Sequence, residues 1–421
     1  MSRSMDDALT AYDFAAPPLI RFGAGRVNEL GELVGLWGRR AWIVGGGRSL
    51  TASGARQRIF ASLAAAGIDT RTVASSNGEP TVQHVATALA GLAREDREGV
   101  VVVAVGGGAT IDLAKAIAAM TTNMPADICS RPDMESLLDT LVVDHLEGVG
   151  RGLTIRHWPL PVVAIPTTAG TGAEATRNAV ISCPRRRFKK SMRSPMMVPR
   201  VAVVDPDLTA SCDPSTIAAS GLDCVTQLIE SFVCRFAKPL PRSLVIESLP
   251  RALRALPRLL EQAAPDDDPQ RGATSRAADR AALSHAALLS GIALTNSGLG
   301  LAHGVAAALG IACGTPHGVA CAVMLPAAMR INRSASEADF ATLERAVAPD
   351  ASRNDAAAAD AFVDRIARLC LVAGVPRRLS ELGVTPDQLD WLAENSGGTS
   401  MRGNPVQLSP AELRSLLAAM L

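Results

Sequence analysis

The chain has 421 residues, 48% of them hydrophobic, enough to bury a large core and to form about two domains. Lys and Arg number 42 against 41 Asp and Glu, for a net charge of +1, which gives nucleic acid or an anionic membrane no electrostatic footing as a partner. The start, Met-Ser-Arg-Ser-Met-Asp-Asp, carries no apolar signal core, and no uninterrupted apolar run approaches the ~18 residues of a membrane span. The cysteines stand singly and none forms a C-x-x-C pair, so a cytoplasmic chain with reduced, mostly buried thiols is expected; only Cys224 stands out, because it adjoins Asp223.

Up to about residue 208, short β-branched runs alternate with helical patterns, as expected of a parallel sheet covered on both faces. Ala41–Val44 reads as a strand ending in Gly45-Gly-Gly47, and Thr81–Arg94 as an Ala-rich helix. Val100–Val105, apolar throughout, reads as a strand buried on both sides and ends in Gly106-Gly107-Gly108. Pro161–Ile165 runs into Pro166-Thr167-Thr168, and Val201–Val204 is closed by Asp205-Pro206. After Pro214 the β-branched runs vanish and long amphipathic patterns such as Ser243–Leu260 and Ala273–Leu294 take over. The expected architecture is a Rossmann-like α/β dinucleotide-binding domain over 1–208, then an all-helical domain over 209–421. Asp266–Gly272 reads as a polar loop between two of its helices.

Val105-Gly-Gly-Gly-Ala-Thr-Ile-Asp112-Leu-Ala-Lys115 is a strand end, a glycine turn and a helix start. Such a turn lets the backbone approach a pyrophosphate closely, and the first amides of the helix supply donors and positive potential. It is not a G-x-G-x-x-G fingerprint. Pro166-Thr-Thr-Ala-Gly-Thr-Gly-Ala-Glu174 is a second glycine-bearing loop, with threonine hydroxyls at the carboxyl end of a parallel strand where ligands bind. Thr171 with Glu174 three residues on also reads as a capped helix start, and both roles are compatible.

In the helical half, Asp223 and Gln227 are four residues apart and project from one helix face. His303 and His317 lie in a Gly- and Ala-rich segment, each with a glycine beside it. One carboxylate and two imidazoles from separate elements suit a divalent metal acting as a Lewis acid. Gln227 could add its amide oxygen, hydrogen-bond a substrate, or fill volume. His285, alone in a helix, reads as a structural residue, and His157 as a surface one.

Taken in order, these motifs resemble those of the iron-containing (group III) alcohol dehydrogenase family. Val105–Lys115 is similar to its GGGS-x-x-D-x-AK motif with Ala109 for Ser, and Pro166–Glu174 to its PTTAGTGSE with Ala173 for Ser. Phe22–Gly25 resembles its early glycine turn, Val204–Thr209 its inter-domain junction, and Gly403–Glu412 its closing NPR-x-x-T segment, with Val406 for Arg. The family holds its metal with an Asp, a His four residues later and two His 14 residues apart; here Gln227 takes the second place, and Ala307 takes that of a further His linked to proton relay.

The resemblance implies hydride transfer between a nicotinamide cofactor and a small alcohol, aldehyde or ketone in an inter-domain cleft. It implies nucleotide contacts from Gly45, Gly106, Gly107, Gly108, Thr110, Asp112, Lys115, Thr167, Thr168 and Thr171. Asp223, Gln227, His303 and His317 become the catalytic set and the ligands of iron or zinc, and a homodimer is expected. NAD-preferring members often carry an Asp after the first strand; Gly45-Gly-Gly47-Arg48 lacks it, which makes a 2′-phosphate tolerable, so either NAD or NADP is expected. The two missing imidazoles keep open a maleylacetate-reductase-like or otherwise metal-independent enzyme of the same fold, or a non-catalytic nucleotide-binding member.

Overall fold

The computed structural model describes residues 11–46, 54–76, 78–261, 269–349 and 353–421; Gly47, Arg48 and Asp266–Asp268 lie outside them. Six strands form one parallel sheet: β1 (Leu19–Phe22), β2 (Arg40–Gly46), β3 (Asp69–Ser76), β4 (Val100–Gly106), β5 (Val162–Pro166) and β8 (Val201–Val204), in the spatial order β1-β8-β5-β4-β2-β3. The four strands anticipated from β-branched runs are β2, β4, β5 and β8. The other two were not anticipated: β1 is only 4 residues long, and β3, Asp-Thr-Arg-Thr-Val-Ala-Ser-Ser, is a largely polar edge strand. An antiparallel hairpin of β6 (Asn178–Cys183) and β7 (Phe188–Arg193) stands apart from the sheet. The basic run around its turn, Arg185 to Lys190, hides it from a hydrophobic-pattern reading.

Helices α1 (Leu30–Gly35), α2 (Ala55–Ala65), α3 (Val82–Leu92), α4 (Gly108–Asn123) and α5 (Met134–Asp144) cover the sheet. Thr81 caps α3 by accepting from His84 N. The unbroken apolar run of β4 is explained by its two neighbours: Val100, Val102 and Ala104 enter one core, and Val101, Val103 and Val105 the other. The chain leaves β2 outward to β3, then crosses back over β2 to β4. The carboxyl ends of β2 and β4 therefore flank a topological switch point, where open α/β sheets bind ligands. Gly45 lies at one of these ends and Gly106 at the other, and Gly106 pairs in register with Pro166, so the glycine and threonine loops emerge side by side.

The second half is helical: α6 (Pro214–Val233), α7 (Pro239–Leu260), α8 (Pro269–Ser297), α9 (Leu301–Cys313), α10 (His317–Asn332), α11 (Glu337–Val347), α12 (Asp355–Val372), α13 (Leu389–Asn395), α14 (Thr399–Gly403) and α15 (Pro410–Ala419). Asp213 starts α6 by accepting from Thr216 N at 2.8 Å, with Pro214 in the first turn where its missing N–H costs nothing. Glycines set the joint between the halves. A Cβ on Gly172 would stand 2.5 Å from Gly291 Cα on α8, and one on Gly170 would stand 2.6 Å from Ser220 Cβ on α6. The threonine loop therefore lies flush on both helices. Among the described residues no single helix is long and apolar enough to cross a membrane.

Candidate active site

Asp223, Gln227 and Glu230 occupy one face of α6, at spacings of four and three residues, and all are buried. Asp223 Oδ1 lies 3.2 Å from His303 Nε2 and 3.8 Å from His317 Nε2. Gln227 Nε2 donates to Asp223 Oδ2 at 3.0 Å, and its Oε1 accepts from Ser290 Oγ at 2.7 Å. Glu230 Oε2 accepts from His303 Nδ1 at 2.7 Å. The same carboxylate takes the amides of Gly300 at 3.0 Å and Ala302 at 2.6 Å, while Asn404 Oδ1 takes that of Leu301 at 3.0 Å. These are the otherwise unpaired first amides of α9, so Glu230 both caps the helix and sets the ring that it carries. The closing Gly403–Glu412 segment takes part through Asn404.

Cys321 completes the cluster. It stands on α10 four residues after His317, with Sγ 3.8 Å from His317 Nε2. One donor atom from each of Asp223, His303, His317 and Cys321 falls within 4.8 Å of the others. Burial works against ionisation of Asp223, but His317 and His303 outweigh it and hold the carboxyl below the usual carboxylate range. Burial also disfavours a charged His303, yet Cys321, Asp223 and Glu230 raise it well above an ordinary imidazole. Burial lowers His317 to about 4 against the pull of Asp223, so this ring is neutral at pH 7 and available as a ligand. Its Nδ1 is buried with no hydrogen-bond partner among the described residues. Cys224 is buried next to Ser290 and stays outside the cluster.

From the α/β half, the threonine loop packs through Gly170 and Gly172 onto α6, which carries Asp223, and α8, which carries Ser290. Gly107 is the N-cap of α4, and Gly108 opens the helix. Thr168 and Thr171 face these glycines: a Cβ on Gly107 would lie 3.4 Å from Thr168 Oγ1, and one on Gly108 2.5 Å from Thr171 Oγ1. Thr171 Oγ1 accepts from Ala173 N at 3.3 Å, and the chain then makes a single 3-10 turn, Ala173–Ala175, rather than the capped helix start expected. Thr110 packs against Gly106, and Thr167 N donates to Gly106 O at 3.0 Å, tying the two loops together. Asp112 and Lys115 sit behind the loops. Asp112 Oδ2 accepts from Val180 N at 2.9 Å on β6. The wholly buried Lys115 ammonium reaches Asp112 at 3.0 Å, Ala173 O at 3.0 Å and Thr176 Oγ1 at 2.7 Å. Lys115 thereby braces the threonine loop from inside, and Asp112 ties α4 to β6. Among the described residues nothing lies within 4 Å of where a Cβ on Gly45, near the end of β2, would project.

The family described as iron-containing alcohol dehydrogenase matches residues 17–206, and its C-terminal part, described as Fe-containing alcohol dehydrogenase family, C-terminal, matches 217–421. A relative from Salmonella typhimurium, "Probable alcohol dehydrogenase EutG", is 30% identical over 410 residues, covering 96% of this chain and 94% of the relative. The chain belongs to the iron-containing alcohol dehydrogenase family.

Solved structures agree with that membership. A 1,3-propanediol oxidoreductase superposes with a TM-score of 0.84 at 27% identity, over 98% of this chain and 100% of that one. A sulfoacetaldehyde reductase from Bifidobacterium kashiwanohense, solved in complex with NAD+, superposes with 0.78 at 27% identity, over 98% and 99%. The protein is accordingly an oxidoreductase of the alcohol dehydrogenase and reductase kind. The converging donors of the cluster are Asp223, His303, His317 and Cys321, with Gln227 hydrogen-bonded beside Asp223. Sequence reasoning passed over Cys321, Glu230 and Ser290. A signal existed for two of them: Cys321 follows His317 by one helical turn, and Glu230 follows Asp223 by two.

Proposed function

We propose that the protein moves hydride between NAD or NADP and a small alcohol, aldehyde or ketone in the cleft between its halves, assisted by a divalent ion held by Asp223, His303 and His317. One observation carries this reading. The threonine loop packs through Gly170 and Gly172 onto Ser220 and Gly291, which lie within a turn of Asp223 and beside Ser290. A nucleotide seated on the glycine and threonine loops is thereby brought to the carboxylate–imidazole cluster. The cluster also suits an ion. Its donor atoms converge, a neutral imidazole is present in His317, and His303 has its outer nitrogen fixed by a carboxylate, as metal-bound histidines commonly do.

When bound, the nicotinamide exchanges hydride with the substrate carbon and the ion acts as a Lewis acid on the substrate oxygen. The remaining work belongs to the chain. Gly106–Gly108 and the first amides of α4 take the pyrophosphate, and Thr168 and Thr171 border the nucleotide. Lys115 holds the threonine loop in place through Ala173 and Thr176. Glu230 keeps a proton on His303 Nδ1, which leaves Nε2 directed into the cluster. Ala307 brings no titratable group, so the proton exchanged with the substrate leaves without a side chain at that position.

The same reading takes the substrate to be a small molecule and the working unit to be a cytoplasmic homodimer, the assembly being open to light scattering. The deciding experiment is a fluorescence titration with NADH and NADPH, followed by turnover on a panel of alcohols and aldehydes. Saturable binding and turnover of at least one nucleotide is expected. Failure to bind either one overturns the reading.

A further inference from the structure

Gln227 stands where the family's second metal ligand is expected, yet its side chain is committed elsewhere. Its Nε2 donates to Asp223 Oδ2 at 3.0 Å, and Oε1, its one atom able to ligate, accepts from Ser290 Oγ at 2.7 Å. Cys321 has the opposite character. It is fully buried, and its Sγ points at His317 Nε2 across 3.8 Å.

The spacing fits coordination. Metal bonds of 2.0–2.3 Å arranged tetrahedrally set ligand atoms roughly 3.3–3.8 Å apart. The Asp223–His303, Asp223–His317 and His317–Cys321 separations are 3.2, 3.8 and 3.8 Å.

We propose that Cys321 rather than Gln227 completes the ligand set, as a thiolate, and that the resulting Asp223–His303–His317–Cys321 site prefers zinc to ferrous iron. Gln227 is then a positioning residue, holding Asp223 through its amide N–H and anchored in turn by Ser290. This inference rests on the metal-assisted reading above. Coordination sends the Cys321 thiol proton, and the proton that His303 shares with Asp223, to solvent; no oxidation state changes. A soft thiolate among nitrogen and oxygen donors in near-tetrahedral array suits zinc, whereas sets of imidazole and carboxylate alone also serve iron. Zinc accepts a fifth donor, so four protein ligands do not close the site to a substrate.

The test is cobalt(II) replacement in the full-length protein, read in the near-ultraviolet for a thiolate-to-cobalt charge-transfer band. Wild type should show the band, Cys321→Ser should lose it, and Gln227→Leu and Cys224→Ser should keep it. Zinc affinity should fall in Cys321→Ser by more than the ~10–100-fold that loss of an outer partner costs. Wild-type protein dialysed against zinc and ferrous iron together should retain zinc. A wild type that binds cobalt with no thiolate band, or that binds no metal, overturns the proposal even if no variant folds. So does a band that survives in Cys321→Ser or vanishes in Gln227→Leu. Nucleotide binding is followed separately by NADH fluorescence. A band without nucleotide binding leaves the ligand assignment standing and removes the nicotinamide-dependent reading, whereas nucleotide turnover without a band does the reverse.

Discussion

The loops ending β4 and β5 and the cluster on α6, α9 and α10 meet where Gly170 and Gly172 pack onto α6 and α8, yet they are built in opposite ways. The proposed nucleotide wall works with backbone: glycines that would let a ligand approach, amides at a helix start, and threonines set against them, with Asp112 and Lys115 paired behind them. The proposed metal wall works with side chains. Asp223, His303, Glu230, Gln227 and Ser290 form one buried hydrogen-bonded chain drawn from α6, α8 and α9. A backbone site depends on a contiguous stretch of chain and tolerates changes behind it. A side-chain site depends on several helices keeping their places, so each member is sensitive to the loss of its neighbour.

The largest expected effect comes from breaking the metal wall alone. Asp223→Ala removes the carboxylate that both imidazoles and the Gln227 amide face. Loss of Lewis-acid assistance worth several kcal/mol corresponds to a fall in kcat/KM on the order of 10³-fold, with metal lost on dialysis. NADH affinity should stay within about twofold, or ~0.4 kcal/mol. A parallel collapse of nucleotide binding would show that the two walls are one cooperative unit, and the contrast between them would fail.

A smaller effect separates the ligands from their supports. Glu230→Gln keeps the size of the side chain but sets an amide NH2 among the donors of Gly300, Ala302 and His303. Metal affinity should drop by roughly 10–100-fold and stability by about 1–3 kcal/mol, measured by competition with a chelator and by urea unfolding. Unchanged metal affinity alongside lost stability would reduce Glu230 to a helix cap.

The same contrast explains what could be read from the sequence. The four β-branched strands and the two loops were legible because each is contiguous and its pattern follows from a sheet covered on both faces. The edge strand β3 and the hairpin strand β7 were not, since polar and basic residues fill most of their positions and break the hydrophobic pattern. Asp223 and the two histidines were legible through the resemblance. The partnership of Glu230 with His303 spans 73 positions and that of Gln227 with Ser290 spans 63, so only the packed helices bring them together. Cys321 carried its own sign, one turn after His317, but a buried cysteine reads as a small apolar residue until its sulfur is seen pointing at an imidazole.

The smallest effect tests the backbone wall. Gly107 has φ −71° and ψ −178°, extended backbone that any residue adopts, and a Cβ there would approach Thr168 Oγ1 no closer than 3.4 Å. The fold therefore gives no reason for glycine at this position. Gly107→Ala should leave the unfolding midpoint where it is while weakening NADH by about tenfold, or ~1.4 kcal/mol, because the methyl group occupies the path of the pyrophosphate. Gly172 is the control, since its φ of +59° and its contact with Gly291 make it structural, and Gly172→Ala should lose stability first. If Gly107→Ala binds nucleotide as wild type does, the pyrophosphate is not seated on this turn, and the wall facing the metal cluster has some other occupant.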